Sequence, residues 1–426
     1  MVALLDSTRR SAESDSHHRR SNPTVTAVVM LAAGLSFVVA HDGTPWWRIV
    51  RLLTVAWFAA RLLLAIDGTR RAPGPIVATG IAGSAVGVGI SIPHFAKSGP
   101  LSMTCAGLLC LTGGLVLTGA GARLLLAGHR RSRQVPLAMA VVLGLALGWL
   151  TLGQAVAATN VPRPRLDRRP AEVGLPAADV ELVTSDDVRL AAWYVAPTND
   201  AAVILLHGAG STRSAVLDQA IVLVRHGYGV LLVDARGHGA SGGRAMDFGW
   251  SGDLDIAAAL DFLSTQPAVD PARIAVLGLS MGGEEALGAA ASDERIRAVV
   301  AEGATARTAD DKAWMSDRYG IQGWLQRGLD QVTFGVADLL TEARPPIALH
   351  EAARAIAPRR VLLVVAGTVP EESHAADFIT AASPRTVEQW VVPGAPHTGG
   401  LRTAPGLWEQ RVIGFLERTI GPAAGS

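Results

Sequence analysis

Cysteine is nearly absent: two residues in 426, Cys105 and Cys110, both inside one apolar run. Neither suits a zinc site or a disulfide framework, and the rest of the chain has no thiol from which to read a redox compartment. Net charge is nearly absent too, +1 from 38 basic and 37 acidic residues. No global field therefore draws in nucleic acid or an acidic partner. Charged residues make up only 18%, against about 25% in ordinary soluble chains. There is no internal repeat. What replaces the missing charge is apolar residue, 49% of the chain, with a mean hydropathy of +0.31. The apolar runs are concentrated before residue 160, and charge is spread evenly after it.

A spanning helix needs about 20 mostly apolar residues, because in hydrocarbon every backbone group must be satisfied internally. Thr24–Ala40, Pro75–Pro93, Leu101–Ala127 and Val135–Ala158 meet that need. The first is not read as a removable signal, since no small-residue cleavage site leads into a soluble domain. A fifth run, Ile49–Ile66, carries Arg51 and Arg61 and follows Trp46 and Trp47. It is read as a span, the alternative being a helix lying along the surface with the tryptophans as interface anchors. Five spans place Arg9, Arg10, Arg19, Arg20, Arg70, Arg71, Arg130, Arg131 and Arg133 on one face. Positive-inside bias then gives a multi-pass protein of a bacterial plasma membrane, its C-terminal domain extracytoplasmic. Four spans would keep that domain cytoplasmic, with Arg163, Arg165, Arg168 and Arg169 beside it. The organisation expected is a polar tail (1–23), membrane helices (24–158), a proline-containing linker (159–177) and a domain over 178–420.

Within that domain Val180–Thr184 and Val188–Val195 read as a hairpin around Ser185-Asp186-Asp187. Short continuous apolar runs then alternate with helix-period segments, as a parallel sheet buried on both faces requires. The strands are Ala202–Leu206, Gly229–Val233, Ile274–Leu277, Ala298–Ala301, Val361–Val365 and Val387–Val392. In such sheets ligands bind beyond the carboxyl ends of the strands.

Gly278-Leu279-Ser280-Met281-Gly282-Gly283 follows one strand directly and precedes a helix. A serine on so sharp a turn needs small neighbours, and the turn presents its hydroxyl at a helix N-terminus. A looser copy, Gly239-Ala240-Ser241-Gly242-Gly243, follows a polar turn and leads into no helix, so it reads as loop. Context selects Ser280 as nucleophile. His207-Gly208-Ala209-Gly210 follows the strand Ala202–Leu206. There the backbone N–H groups of Ala209 and Met281 form the natural oxyanion pair, while His207 shapes the turn. Asp234-Ala235-Arg236-Gly237-His238-Gly239 reads as bracing for the loop beside them.

A serine nucleophile needs a base, and the base an orienting carboxylate. Of the histidines after Ser280, His350 falls in the cap, His374 in a helix, and His397 in the glycine-rich loop Pro393–Gly400 after the last strand. His397 is the expected base. The loop after Val361–Val365 holds no aspartate, so Glu371 is taken as the acid over Glu372, with Glu302 as a third candidate.

Taken in this order, the four motifs resemble the α/β-hydrolase superfamily. The nearest flavour is its serine aminopeptidase/lysophospholipase-like and membrane-anchored group. The resemblance covers about residues 178–420 and departs from the pattern in its missing aspartate. It implies an α/β-hydrolase fold and acyl transfer through an acyl-serine, with no metal or organic cofactor. It does not name a substrate.

Between Ala301 and Val361 lie almost sixty residues, too many for a plain crossover. They read as a helical cap over about 304–356 that covers the nucleophile, with Trp314, Tyr319, Trp324 and Phe334 favouring an apolar acyl group. The expected function is a membrane-anchored esterase acting on a small-molecule or lipid-like acyl substrate. The alternatives are a peptidase of the same fold, or a transporter or sensor whose hydrolase-like part only binds.

Overall fold

The structure, a computed structural model, describes residues 23–40, 45–67, 73–245 and 247–421. Arg9, Arg10, Arg19, Arg20, Arg70 and Arg71, and the side chains of Trp46 and Trp47, lie outside the described residues. Two compact units emerge, one of residues up to 91 and 102–149, the other of residues 92–101 and 150 onward.

In the first unit, apolar sequence has become helix. Pro23–Ala40, Pro73–Ala96, Leu101–Ala127 and Arg131–Thr159 are each long and apolar enough to cross a membrane. Pro45–Asp67, which contains the run read as a fifth span, is a helix of 23 residues but is not among those apolar enough to cross, so the expected five become four among the described residues. Small residues set the packing. Gly80 and Gly87 on one helix face Gly107 and Gly114 on the next, so closely that a Cβ on Gly80 or Gly87 would run into the opposing backbone. Small residues let two helix backbones approach closely, so that main chain packs directly on main chain.

The second unit is built on one eight-stranded sheet. Its strands are β1 (Ala178–Val183), β2 (Arg189–Val195), β3 (Ala202–Leu206), β4 (Gly229–Val233), β5 (Ile274–Leu279), β6 (Ile296–Glu302), β7 (Arg360–Ala366) and β8 (Val387–Val392). Their order is β1-β2-β4-β3-β5-β6-β7-β8. β2 pairs antiparallel with both β1 and β4; every other pairing is parallel. The continuous apolar runs are explained by two cores. Ile204 and Leu206 of β3 enter one with helices Gly252–Ser264 and Met281–Ser292, while Val203 and Leu205 enter the other with helices Leu217–Arg225 and Pro405–Ile420.

Two boundaries differ from expectation. Residues 160–176 are not a free linker: Leu166, Val173 and Leu175 pack into the second core, and Ser214 Oγ donates to the Arg168 carbonyl at 2.9 Å. The cap ends before residue 349 instead of at 356. Helix Leu349–Ile356 buries Leu349, Ala353 and Ile356 in the sheet core, so it is a crossover helix of the sandwich. Its amphipathic stripe marks it as such. The cap proper is dominated by Trp314–Leu340, broken at Gly320 where φ is +56°. Asp311 closes the base of the cap, accepting from the Thr308 N–H at 2.9 Å and the Leu349 N–H at 2.5 Å.

Phe415 is fully buried in the second core. Phe415→Ala is expected to lower the stability of this unit by about 3–5 kcal/mol through lost burial and the cavity left behind. Thermal unfolding of the full chain in detergent, followed by tryptophan fluorescence, checks it.

Candidate active site

Ser280 stands between β5 and helix Met281–Ser292 with φ +53° and ψ −123°, a conformation few side-chain-bearing residues adopt. Two features hold it there. Its N–H donates to the Glu302 carbonyl at 2.7 Å, extending the β5–β6 ladder by one bond. Gly278 and Gly282 face each other across the turn so tightly that a Cβ on Gly278 would overlap the Gly282 backbone. The turn leaves Ser280 beyond the strand end, on a cleft it shares with His397.

His397 follows β8 in the loop that begins at Pro393, and its Nε2 lies 2.9 Å from Ser280 Oγ. Its other ring nitrogen, Nδ1, lies 2.6 Å from Glu372 Oε1. The sequence choice of Glu371 is therefore corrected to its neighbour. Helix Pro370–Ala382 starts with Pro370, which puts Glu371 second and Glu372 third. A third-position carboxylate folds back over the helix start. Here Glu372 accepts from the Ala366 N–H at 2.9 Å and is buried, so its second oxygen meets the imidazole. Glu371 instead turns to a cavity lined by Trp314, Tyr319 and Gln326. The signal that could have separated them is this helix register.

Glu302 is not on the histidine either. Buried at the end of β6, it accepts from the Gly400 N–H at 2.7 Å and from Trp408 Nε1 at 3.1 Å. It anchors the loop that carries His397. Burial pushes its carboxyl above the ordinary range, against the pull of those two donors. Glu372 raises the proton affinity of His397, mainly through their hydrogen bond.

His207, which opens the loop after β3, is structural. His207 Nε2 accepts from the Ala235 N–H at 3.0 Å and its Nδ1 donates to the Gly208 carbonyl at 2.8 Å. His238 likewise accepts from the Gly210 N–H at 3.0 Å. Burial pushes both imidazoles down to about 4, so they stay neutral and pin the loop around Ala209. Asp234 holds the same loop through the Arg213 N–H at 2.7 Å and its own loop through the Ala240 N–H at 2.9 Å. Ser241, in the second glycine-flanked motif, is buried and donates to the Asp234 carbonyl at 2.6 Å, a brace and not a nucleophile.

Ser280 and His397 open into a cleft of about 650 Å³, which Gly208, Ala209, Ala215, Val222 and Leu401 help to line. No residue of 304–356 lines it, contrary to the expectation that the cap covers the nucleophile. The N–H groups of Ala209 and Met281 have no acceptor among the described residues.

An eight-stranded, mostly parallel sheet with a serine on the strand–helix turn after β5 and a histidine after the last strand defines an α/β hydrolase. The C-terminal region of this chain belongs to the α/β-hydrolase superfamily. The family described as "Serine aminopeptidase, S33" matches residues 197–344. An uncharacterized protein of Mycobacterium tuberculosis is 41% identical over 120 residues, 27% of this chain and 42% of that protein. A thiohydrolase of Aspergillus aculeatus is 33% identical over 127 residues, 29% of this chain and 40% of that one. The chain thus spans about two fifths of the length of the curated relatives it matches. Among solved structures, an esterase of Pyrococcus furiosus superposes with a TM-score of 0.50 at 28% identity, over 62% of this chain and 99% of that one.

If His397 acts as a base, its neutral form is the active one. Because Glu372 raises its proton affinity, activity is lost as pH falls through a value above the ordinary 6.5. Glu372→Gln is expected to move that acid limb to lower pH and to cut the rate about 10²–10⁴-fold, while Glu371→Gln moves neither. The pH profile of ester hydrolysis by the three proteins checks this.

Proposed function

We propose that this protein is a membrane-anchored serine hydrolase that cleaves an ester-type bond through an acyl-serine intermediate. The hydrogen-bonded row Ser280–His397–Glu372 carries this reading, at 2.9 and 2.6 Å, on a serine held at positive φ. His397 Nε2 takes the hydroxyl proton as Ser280 Oγ attacks the carbonyl carbon. Glu372 accepts from Nδ1–H, fixes the tautomer and stabilises the imidazolium. The carbonyl oxygen, now negative, is received by the N–H groups of Ala209 and Met281 at a helix N-terminus. His397 returns its proton to the leaving oxygen, and water repeats the sequence to release the acid.

Four helices apolar enough to span a bilayer support the anchor. The sidedness proposed is extracytoplasmic, from the basic residues Arg130, Arg131 and Arg133 at the start of the last span. A peptidase acting on a free amine would want an unpaired carboxylate in the cleft. Asp218, the one carboxylate lining it among the described residues, is 3.1 Å from Arg168. That observation favours an ester over a peptide. The assembled row, in turn, favours an enzyme over a binding module.

A fluorophosphonate probe tests the reading on intact cells and lysates. The native chain should label, Ser280→Ala not at all, and His397→Ala at least about 10³-fold more slowly. Labelling of intact cells by an impermeant probe would place the domain outside. A folded native chain that never labels overturns the proposal.

A further inference from the structure

At the end of the sheet opposite Ser280, arginines gather around a cavity of about 490 Å³. Arg297, Arg359, Arg360 and Arg418 line it, with Glu294 as the one carboxylate in its wall. Arg297 lies at the start of β6 and Arg360 at the start of β7, while Arg418 comes from helix Pro405–Ile420. β5, β6 and β7 run parallel, so these starts lie a strand's length, about 20 Å, from the Ser280 turn at the end of β5. A ligand here touches none of the reacting atoms.

The charges of this wall are poorly matched. Arg359 donates to the carbonyls of Asp293, Ile296 and Ala290 at 2.9, 2.7 and 2.6 Å, which fix its guanidinium without neutralising it. Arg360 and Arg418 share a single carboxylate, Glu388, each at 3.3 Å. Arg297 has one bond, of 3.4 Å, to the Glu294 carbonyl. Asp293, close by, is taken by Arg295 at 2.6 Å. Burial lowers the proton affinity of Arg359, and neighbouring Arg297 lowers it further against the pull of Glu294. The side chains of Arg360 and Arg418 are 52% and 59% exposed, and Arg297 is exposed too, so their unused N–H groups are open to a ligand.

We propose that this cavity binds a phosphate group carrying two or more negative charges, as in a phosphate monoester or a pyrophosphate. A guanidinium presents a planar fork of donors, and a phosphate has oxygens enough to meet several forks where a carboxylate meets one. The volume suits a small molecule or one headgroup. A net charge of +1 over the whole chain supplies no field for a nucleic acid.

Calorimetric titration of the full chain in neutral detergent with pyrophosphate tests this. Pyrophosphate should bind saturably with a Kd below about 1 mM at low salt, and sodium chloride at equal ionic strength should not. Arg297→Gln and Arg418→Gln should each weaken binding at least about fivefold, and together abolish it. Arg225→Gln, on the same unit but outside the cavity, should leave it unchanged. Unchanged affinity in the double variant, or equal weakening by Arg225→Gln, overturns the site. A folded native chain that binds no pyrophosphate overturns it whatever the variants do. Soluble dihexanoyl phosphatidic acid separates two sources of the same chemistry. If it displaces pyrophosphate the pocket takes a lipid headgroup; if it does not, a soluble phosphate ester, and either result upholds phosphate binding.

Discussion

The strained backbone of Ser280 is the constraint on which the rest of the second unit depends. A serine held at φ +53° between a strand and a helix survives only if its surroundings leave it no alternative. β5 is buried along its whole length between two cores, so the strand cannot shift to relieve the turn. The bond from the Ser280 N–H to the Glu302 carbonyl fixes the exit, and the glycines at 278 and 282 admit the return of the helix. The sheet supplies the rigidity and the turn spends it on presenting one hydroxyl.

The same economy recurs around the turn, where buried polar residues hold loops. Glu302 fixes the histidine loop through Gly400 and Trp408, and Asp234 fixes the loop after β3 through Arg213 and its own loop through Ala240. Glu284, just after Ser280, accepts the Thr305 and Ala306 N–H groups, each at 2.9 Å, and so ties the base of the cap to the same helix. Each carboxylate is buried and each is satisfied by several donors, the condition under which such groups rigidify instead of destabilising. Glu372 belongs to this set but gives one oxygen to His397. That single difference sets it apart from the other three carboxylates.

The last turns of the fourth apolar helix belong to the second unit. Ala155 there packs with Trp250 and Ala337, and the Arg244 guanidinium donates to the Thr159 carbonyl at 2.5 Å. Ala337 lies on the cap helix, so the chain that enters this unit touches the cap before it reaches the sheet. The cap has its own cavity of about 550 Å³, with Trp314, Tyr319 and Glu371 in its wall. That cavity and the Ser280 cleft share no lining residue.

Much of this was legible in the order of residues, for local reasons. Apolar runs of four to six residues announced the six strands β3 to β8, and the turn at Ser185-Asp186-Asp187 announced the hairpin β1–β2, all to within two residues at each end, because strands between two cores read as continuous apolar runs. Gly278–Gly283 and the loop of His397 announced Ser280 and its partner, because a sharp turn needs small residues wherever it occurs. Long apolar runs announced four helices of membrane length for an equally local reason. The tertiary structure alone decided the rest. Glu371 and Glu372 are chemically identical neighbours, and only the helix start at Pro370 and the buried Ala366 N–H turn the second one towards the imidazole. Leu349–Ile356 became sandwich and not cap because its apolar stripe met an open face of the sheet core. Glu302 finds the Gly400 N–H and Trp408 Nε1 only because packing brings them together, and a linear pattern carries no record of which polar groups find a partner.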